Sequence, residues 1–256
     1  MTIKHLVYIP FTGLGLYDGF RGQEWFDSRA KIFEQTALKS LSNQTTKDFT
    51  LWISFRKEEE TNPTTKKIEE AIKKSGLKYI FTFDGIMMHD DRGVDHNKDL
   101  KERMARSMKT LSSIVDDTDW VYKTEYSSDD MLSEEALEEI RKEKTREKGA
   151  TYYLNGYIHE LETGRLAYWN RDSSCSKYTV MYPPGKFLDA DKHLEYVDGV
   201  QSHEFLPIIM DATKLPDGRY CCTVHGWNIS TGWNNSFRGD EIYGEKKLKI
   251  LKKFGL

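Results

Sequence analysis

The sequence predicts an α/β fold: one domain with a mostly parallel central sheet flanked by helices. Strand-like and helix-like stretches alternate through the first half of the 256 residues. The helical stretches repeat apolar residues at spacings of three and four, while the strands are short β-branched and aromatic runs. No low-complexity linker or internal repeat interrupts the chain. Such alternation builds parallel strands joined by right-handed helical crossovers.

Lys4 to Phe11 forms the first strand, closed by Pro10 and Gly13. Arg29 to Leu41 places Ile32, Phe33, Thr36, Ala37, Ser40 and Leu41 on one broad helical face. Phe49 to Phe55 is the second strand. Asn62 and Pro63 open the next helix as N-cap and first-turn proline, Ile68, Ala71 and Ile72 give its inner face, and Gly76 stops it. Lys78 to Phe83 is the third strand. A longer helix starts near Asn97 and carries Leu100, Met104, Met108, Leu111 and Val115 inward; Trp120 to Tyr126 is the fourth strand. Ser133 reads as the N-cap of a helix whose basic end, Lys142 to Lys148, suits the helix dipole and otherwise forms a solvated face. Thr151 to His159, Arg165 to Trp169 and Arg219 to His225 are strands expected to complete the same sheet. Residues 241–256 form a short, basic, amphipathic tail. It reads either as a terminal helix docked on its own domain or as a weak peripheral contact with an anionic membrane surface.

Composition narrows the function. Thirty-eight basic against 41 acidic residues give a net charge of −3, which argues against nucleic acid as a partner. No apolar run approaches the roughly 18 residues of a membrane span, and the N-terminal stretch lacks the pattern of a signal peptide. Cys175, Cys221 and Cys222 form an odd set without a Cys-x-x-Cys pair, which argues against structural zinc. A cytoplasmic location is the expectation, and the Asn-x-Ser/Thr triplets at Asn43, Asn228 and Asn234 then read as chance matches.

Ligands of parallel sheets sit beyond the carboxyl ends of the strands. At the first such end, Gly13 and Gly15 lack the third glycine and the following helix of a dinucleotide fingerprint. At the fourth, a buried-looking strand runs through Ser127 and Ser128 straight into Asp129 and Asp130. Two adjacent carboxylates repel unless a cation neutralises them. Hard oxygen donors suit Mg²⁺ or Mn²⁺, which keep coordination sites open for phosphate and water. The same residues also suit a turn and a helix cap. His89, Asp90, Asp91, Asp95 and His96 make an acidic loop whose irregular spacing favours a solvated segment over a second metal site.

The stretch from Phe26 to Gln44, with its Arg29, Phe33-Glu34, Ser40-Leu41 and Gln44, followed by Asp48-Phe49, resembles the opening of the rhamnosyltransferase family. Ser127 to Leu132 is similar to that family's Asp-x-Asp-Asp element and the two apolar residues after it. His225-Gly226-Trp227-Asn228 is similar to its late His-Gly-x-Asn. The resemblance runs from about Leu6 to about Asn228 and implies a GT-A-type, Rossmann-like domain of a nucleotide-sugar glycosyltransferase. It divides the chain into a nucleotide-sugar half (1–132), an acceptor half (133–240) and the tail.

The implied reaction moves a hexose such as rhamnose from a nucleoside diphosphate to a hydroxyl of a glycan or lipid-linked acceptor. A divalent cation, Mn²⁺ or Mg²⁺, would be held by Asp129, Asp130 and His225. Ser127 departs from the family pattern, contributing no charge where the first aspartate would stand, and Glu125 is a second departure. Arg21, Arg29 and Arg56 are candidates to supplement a weakened metal site, and Asp84 to meet the nucleoside. Glu204 and Asp198, with His203 as helper, are candidates for the base that takes the acceptor proton. Trp227 and Trp233 could stack against a sugar ring. On this reading Asp129→Ala removes turnover with little change in stability. A degenerate binding module, motivated by Ser127, and a nucleotidyltransferase are the alternatives.

Overall fold

The computed structural model describes residues 2–12, 22–84, 96–196, 203–228, 231–234 and 237–256, with side chains from Leu100 onward in the third segment. Gly13, Gly15, Arg21, His89, Asp90, Asp91, Asp95 and Asp198 lie outside the described residues.

Twelve strands are described: β1 (Ile3–Pro10), β2 (Thr50–Ser54), β3 (Tyr79–Thr82), β4 (Trp120–Glu125), β5 (Met131–Leu132), β6 (Gly149–Tyr152), β7 (Gly156–Glu160), β8 (Leu166–Trp169), β9 (Tyr178–Tyr182), β10 (Asp211–Lys214), β11 (Tyr220–Val224) and β12 (Arg238–Glu241). They form a seven-stranded sheet, ordered β10-β6-β9-β4-β1-β2-β3, and a five-stranded sheet, ordered β12-β8-β7-β11-β5. The helices are α1 (Gln23–Gln35), α2 (Ala37–Ser42), α3 (Pro63–Ser75), α4 (His96–Leu111), α5 (Ala136–Lys142), α6 (Ala190–Tyr196), α7 (Leu206–Ile209) and α8 (Gly244–Lys253).

Strand alternation gives the large sheet two apolar faces. Val7, Ile9, Leu51, Ile53, Tyr122 and Met181 point to the side packed by α1, α2, α3 and α5. Leu6, Tyr8, Trp52, Val121, Val180 and Tyr182 point to the side covered by α4, α6 and α7. A strand buried on both faces reads as a continuous apolar run, which is why β1 and β2 are so plain in the sequence. The helix punctuation also holds: the Asn62 side chain accepts from the Thr64 amide, Pro63 opens α3, and Gly76 ends it in the left-handed region at φ 73°.

The expectation of one mostly parallel sheet needs correction, because the protein is mixed α/β. Strand β9 runs antiparallel to both β4 and β6. The five-stranded sheet has one parallel pair, β11 with β7, and is otherwise antiparallel. Thr151 to His159 is two strands, since Tyr153-Leu154-Asn155 carries the chain from β6 in one sheet to β7 in the other. Arg29 to Leu41 is likewise two helices. Thr36 leaves helical geometry (φ −122°, ψ −85°), and its hydroxyl donates back to the Ile32 carbonyl at 2.6 Å. Ser133 is not a helix N-cap; α5 starts after Glu135 and ends at Lys142, well before Gly149.

The tail forms α8, and its apolar side is turned inward. Ile250 and Phe254 are buried with Met131, Leu166, Cys221 and Ile242 against the smaller sheet. Leu248 remains exposed. No helix among the described residues is long and apolar enough to cross a membrane.

Candidate functional site

The site lies where the chain leaves one sheet and enters the other. After Glu125 the backbone stays attached to β1 for one more residue, through Tyr126 N–H to the Tyr8 carbonyl at 2.9 Å. Residues 127–130 then span to β5, which pairs with β11. Two bonds pin this crossing: the Tyr126 hydroxyl donates to the Asp130 carbonyl at 2.7 Å, and the Thr223 hydroxyl donates to the Asp129 carbonyl. Strand β11 ends at Val224, so His225 arrives beside Asp129 from the second sheet, while Arg29 arrives from the middle of α1.

Asp129 is the hub. Its Oδ2 accepts from Arg29 Nη1 at 2.7 Å, from His225 Nε2 at 3.1 Å and, more loosely, from Asn228 Nδ2 at 3.4 Å. Arg29 Nε donates to Ser128 Oγ at 2.8 Å, fixing the guanidinium plane. All three charged or titratable side chains are at least nine-tenths buried. Burial pushes the Asp129 carboxyl up, but Arg29, His225 and, further off, Lys177 outweigh it and hold the pKa down at about 2.

The tautomer of His225 follows from its second nitrogen. Nδ1 accepts the Trp227 backbone N–H at 3.2 Å, so in the neutral ring the hydrogen sits on Nε2 and points at Asp129. The 3.4 Å approach of Arg29 Nη1 to Nε2 is then a contact between two donors that share one carboxylate oxygen. Asn228 closes the turn, accepting from the His225 amide and donating to the Thr223 carbonyl at 3.1 Å.

Asp130 faces away from this hub. One carboxylate oxygen takes the Thr223 amide at 2.8 Å and the other is ion-paired with Lys177, both side chains being buried. Burial pushes the Lys177 ammonium down, yet the facing Asp130 more than reverses this and holds it above the ordinary lysine value. The repulsion read from the sequence is thus relieved by two resident cations, Arg29 for Asp129 and Lys177 for Asp130.

A hard divalent cation does not fit this donor set. Asp130 is committed to Lys177, both His225 nitrogens are engaged, and the Asp129 oxygen nearest His225 already faces a guanidinium. A cation placed there would stand within a few ångströms of a like charge at low dielectric. Among the described residues no three or more His, Cys, Asp or Glu side chains gather as metal ligands do.

The other expected site residues occupy separate places. Arg56 forks onto Glu59 just past β2, with Nε at 3.1 and 3.2 Å from its two oxygens. Asp84, past β3, accepts from Arg106 at 2.6 Å. Ser127 is half-buried beside the hub. Glu204 and His203 are tied to the Arg171–Lys177 segment that also delivers Lys177 to Asp130. Glu204, half-exposed, takes Ser173 Oγ at 3.2 Å and faces Arg171 at 3.6 Å. His203 Nδ1 donates to the Ser174 carbonyl at 2.7 Å, leaving Nε2 as the acceptor nitrogen. Burial lowers its pKa, so the ring is neutral near pH 7. Trp227, 37% exposed, stands next to His225, but Trp233 is buried, with the guanidiniums of Arg165 and Arg238 over its ring.

Three contributors had no assigned role in the sequence reading. Ser128 and Asn228 sat inside the two motifs and could have been read there, because both flank a hub residue. Lys177 carries no local signal at all.

The family model described as putative rhamnosyl transferase matches residues 20–231, which contain every member of the hub. No curated protein matches the chain.

Proposed function

Because the chain belongs to the putative rhamnosyl transferase family, we propose that it transfers a hexosyl group from a nucleoside-diphosphate sugar to a hydroxyl of a glycan or lipid-linked acceptor. We place the donor's diphosphate at the Arg29–Asp129–His225 hub, within a GT-A-type reading of the mixed α/β fold. The observation that carries this reading is the buried guanidinium of Arg29. Asp129 and Ser128 hold two of its nitrogens, while Nη2 has no partner among the described residues. A planar fork fixed on two sides and open on the third suits a phosphate oxygen.

The acceptor oxygen attacks the anomeric carbon as the bond from that carbon to the phosphate oxygen breaks, its electron pair leaving with the diphosphate. Charge grows on the leaving oxygens, and a preorganised cation in a dry site stabilises that growth strongly. Arg29 supplies the cation, and Asp129 and Ser128 orient it. The acceptor proton passes to Glu204, the half-exposed carboxylate held by Ser173 on the segment that delivers Lys177 to Asp130, with the neutral His203 ring as its neighbour. Trp227 offers an exposed aromatic face beside the reacting region.

A panel of UDP-, GDP- and dTDP-sugars, assayed for release of the nucleoside diphosphate with and without acceptor glycans, tests the reading. Turnover of one donor that falls at least tenfold in Arg29→Gln supports it. Binding of a donor without bond cleavage across the panel would instead identify a degenerate binding module, and pyrophosphate release from a nucleoside triphosphate a nucleotidyltransferase.

A further inference from the structure

The geometry points to a site that works without a divalent metal, Arg29 standing where the cation of an aspartate-and-histidine phosphate site would stand. The inference deepens the reading above, but its first half concerns the resting protein and holds whatever the substrate proves to be.

Three observations converge on it. First, the charge is already balanced: Asp129 faces Arg29 at 2.7 Å and Asp130 faces Lys177, all four side chains being buried. Second, the atoms that Asp129 and His225 would share with a metal are engaged, Asp129 Oδ2 by Arg29, His225 and Asn228. His225 gives its Nε2 hydrogen to Asp129 and its Nδ1 lone pair to the Trp227 amide. Third, the position where the expected first aspartate would add negative charge is Ser127. A metal bridging Asp129 Oδ2 and His225 would have to expel the guanidinium, turn the histidine over and break its bond to the Trp227 amide. The arrangement instead presents a fixed organic cation whose third edge is open to an anion.

The hub also predicts its own inversion. Removing the guanidinium leaves a carboxylate and an imidazole 3.1 Å apart, a spacing that two ligands of one ion can share. Arg29 is then the charge that opposes Mn²⁺ at this pair, which further requires His225 to give up its Nε2 hydrogen.

The test is a titration with Mn²⁺ alone, followed by the free-ion electron paramagnetic resonance signal, on the full chain without nucleotide. We expect the wild-type protein to leave the signal unquenched, Arg29→Met to bind one equivalent at least tenfold more tightly, and Arg29→Met/Asp129→Asn to lose that gain. One equivalent bound by wild-type protein and lost in Asp129→Asn overturns the inference; this arm needs no Arg29 variant to fold. A second arm titrates UDP, GDP and dTDP calorimetrically in EDTA. Affinity unchanged by Mn²⁺, cut at least tenfold in Arg29→Gln and partly restored in Arg29→Lys supports the inference. Binding that requires Mn²⁺ overturns it. Failure of every nucleotide to bind would count against the diphosphate reading, while the Mn²⁺ titration still decides the metal question.

Discussion

Arg29 and Asp129, 100 positions apart in the chain, meet at 2.7 Å beneath the surface, and His225 arrives from a different sheet to share the same carboxylate oxygen. This pairing makes Asp129 a structural partner as well as a site residue. The expectation that Asp129→Ala leaves stability nearly unchanged is therefore withdrawn.

Asp129→Ala strands a buried guanidinium, and breaking a buried pair from one side costs about 3–5 kcal/mol. Arg29→Met alone strands the carboxylate at similar cost. The double variant Arg29→Met/Asp129→Ala should unfold at a higher temperature than the sum of the single losses implies. Thermal unfolding of the four proteins gives the coupling; additive losses would show that the two residues do not act as a pair.

Asp130 and Lys177 form a second, separate pair. Asp130→Asn should destabilise by about 3–5 kcal/mol, and Asp130→Asn/Lys177→Met should recover much of it. Because Asp130 faces away from the hub, nucleotide affinity measured on folded Asp130→Asn protein should stay within about threefold of wild type, an expectation drawn from the near-additivity of separate sites.

Acid stability carries a signed prediction. Burial depresses the pKa of His5 and His193 to about 3 and of His159 to about 4. Between these values and about 6.5, the ordinary histidine pKa, the unfolded chain takes up protons that the folded chain refuses. Stability is then full above that upper value and falls as pH drops through the interval. Asp129 adds a lower step: its contribution, of order 2 kcal/mol, is present above the unfolded carboxylate pKa and is lost as pH falls toward about 2. Unfolding midpoints measured from pH 7 to pH 3 (~4 units of titration) should fall before the bulk of the carboxylates protonate. His193→Gln should flatten the upper part of the fall, and a flat midpoint from neutrality to about pH 5.5, where histidine is the main side chain to titrate, would contradict the burial argument.

The tail separates its two readings by residue. Phe254→Ala should cost about 3–5 kcal/mol as a buried aromatic truncation. Leu248→Ala, at an exposed position, should stay within about 0.5 kcal/mol. Equal effects in chemical denaturation would mean that α8 is not docked through Phe254.

The strands of the first half were legible because burial on both faces demands unbroken apolar runs, and α3 because its cap, proline and terminal glycine each have a local mechanism. The second half was harder for physical reasons. Strand β5 has two residues, β12 is the polar Arg238-Gly239-Asp240-Glu241, and β10 is an edge strand with little burial. The switch between sheets rests on Tyr153-Leu154-Asn155, a turn hidden inside an aromatic-rich run. At the site, adjacent aspartates and the late histidine announced themselves. What neutralises them did not: the partner of Asp130 lies 47 residues on and that of Asp129 lies 100 back, and no spacing rule links them.

The most direct measurement is a crystal structure of the protein with a bound nucleoside diphosphate, grown in EDTA. A phosphate oxygen is expected within about 3 Å of Arg29 Nη2, with the bonds from Arg29 to Asp129 and Ser128 intact. A diphosphate bound away from Arg29, or density showing Arg29 displaced from Asp129 by the ligand, would contradict it.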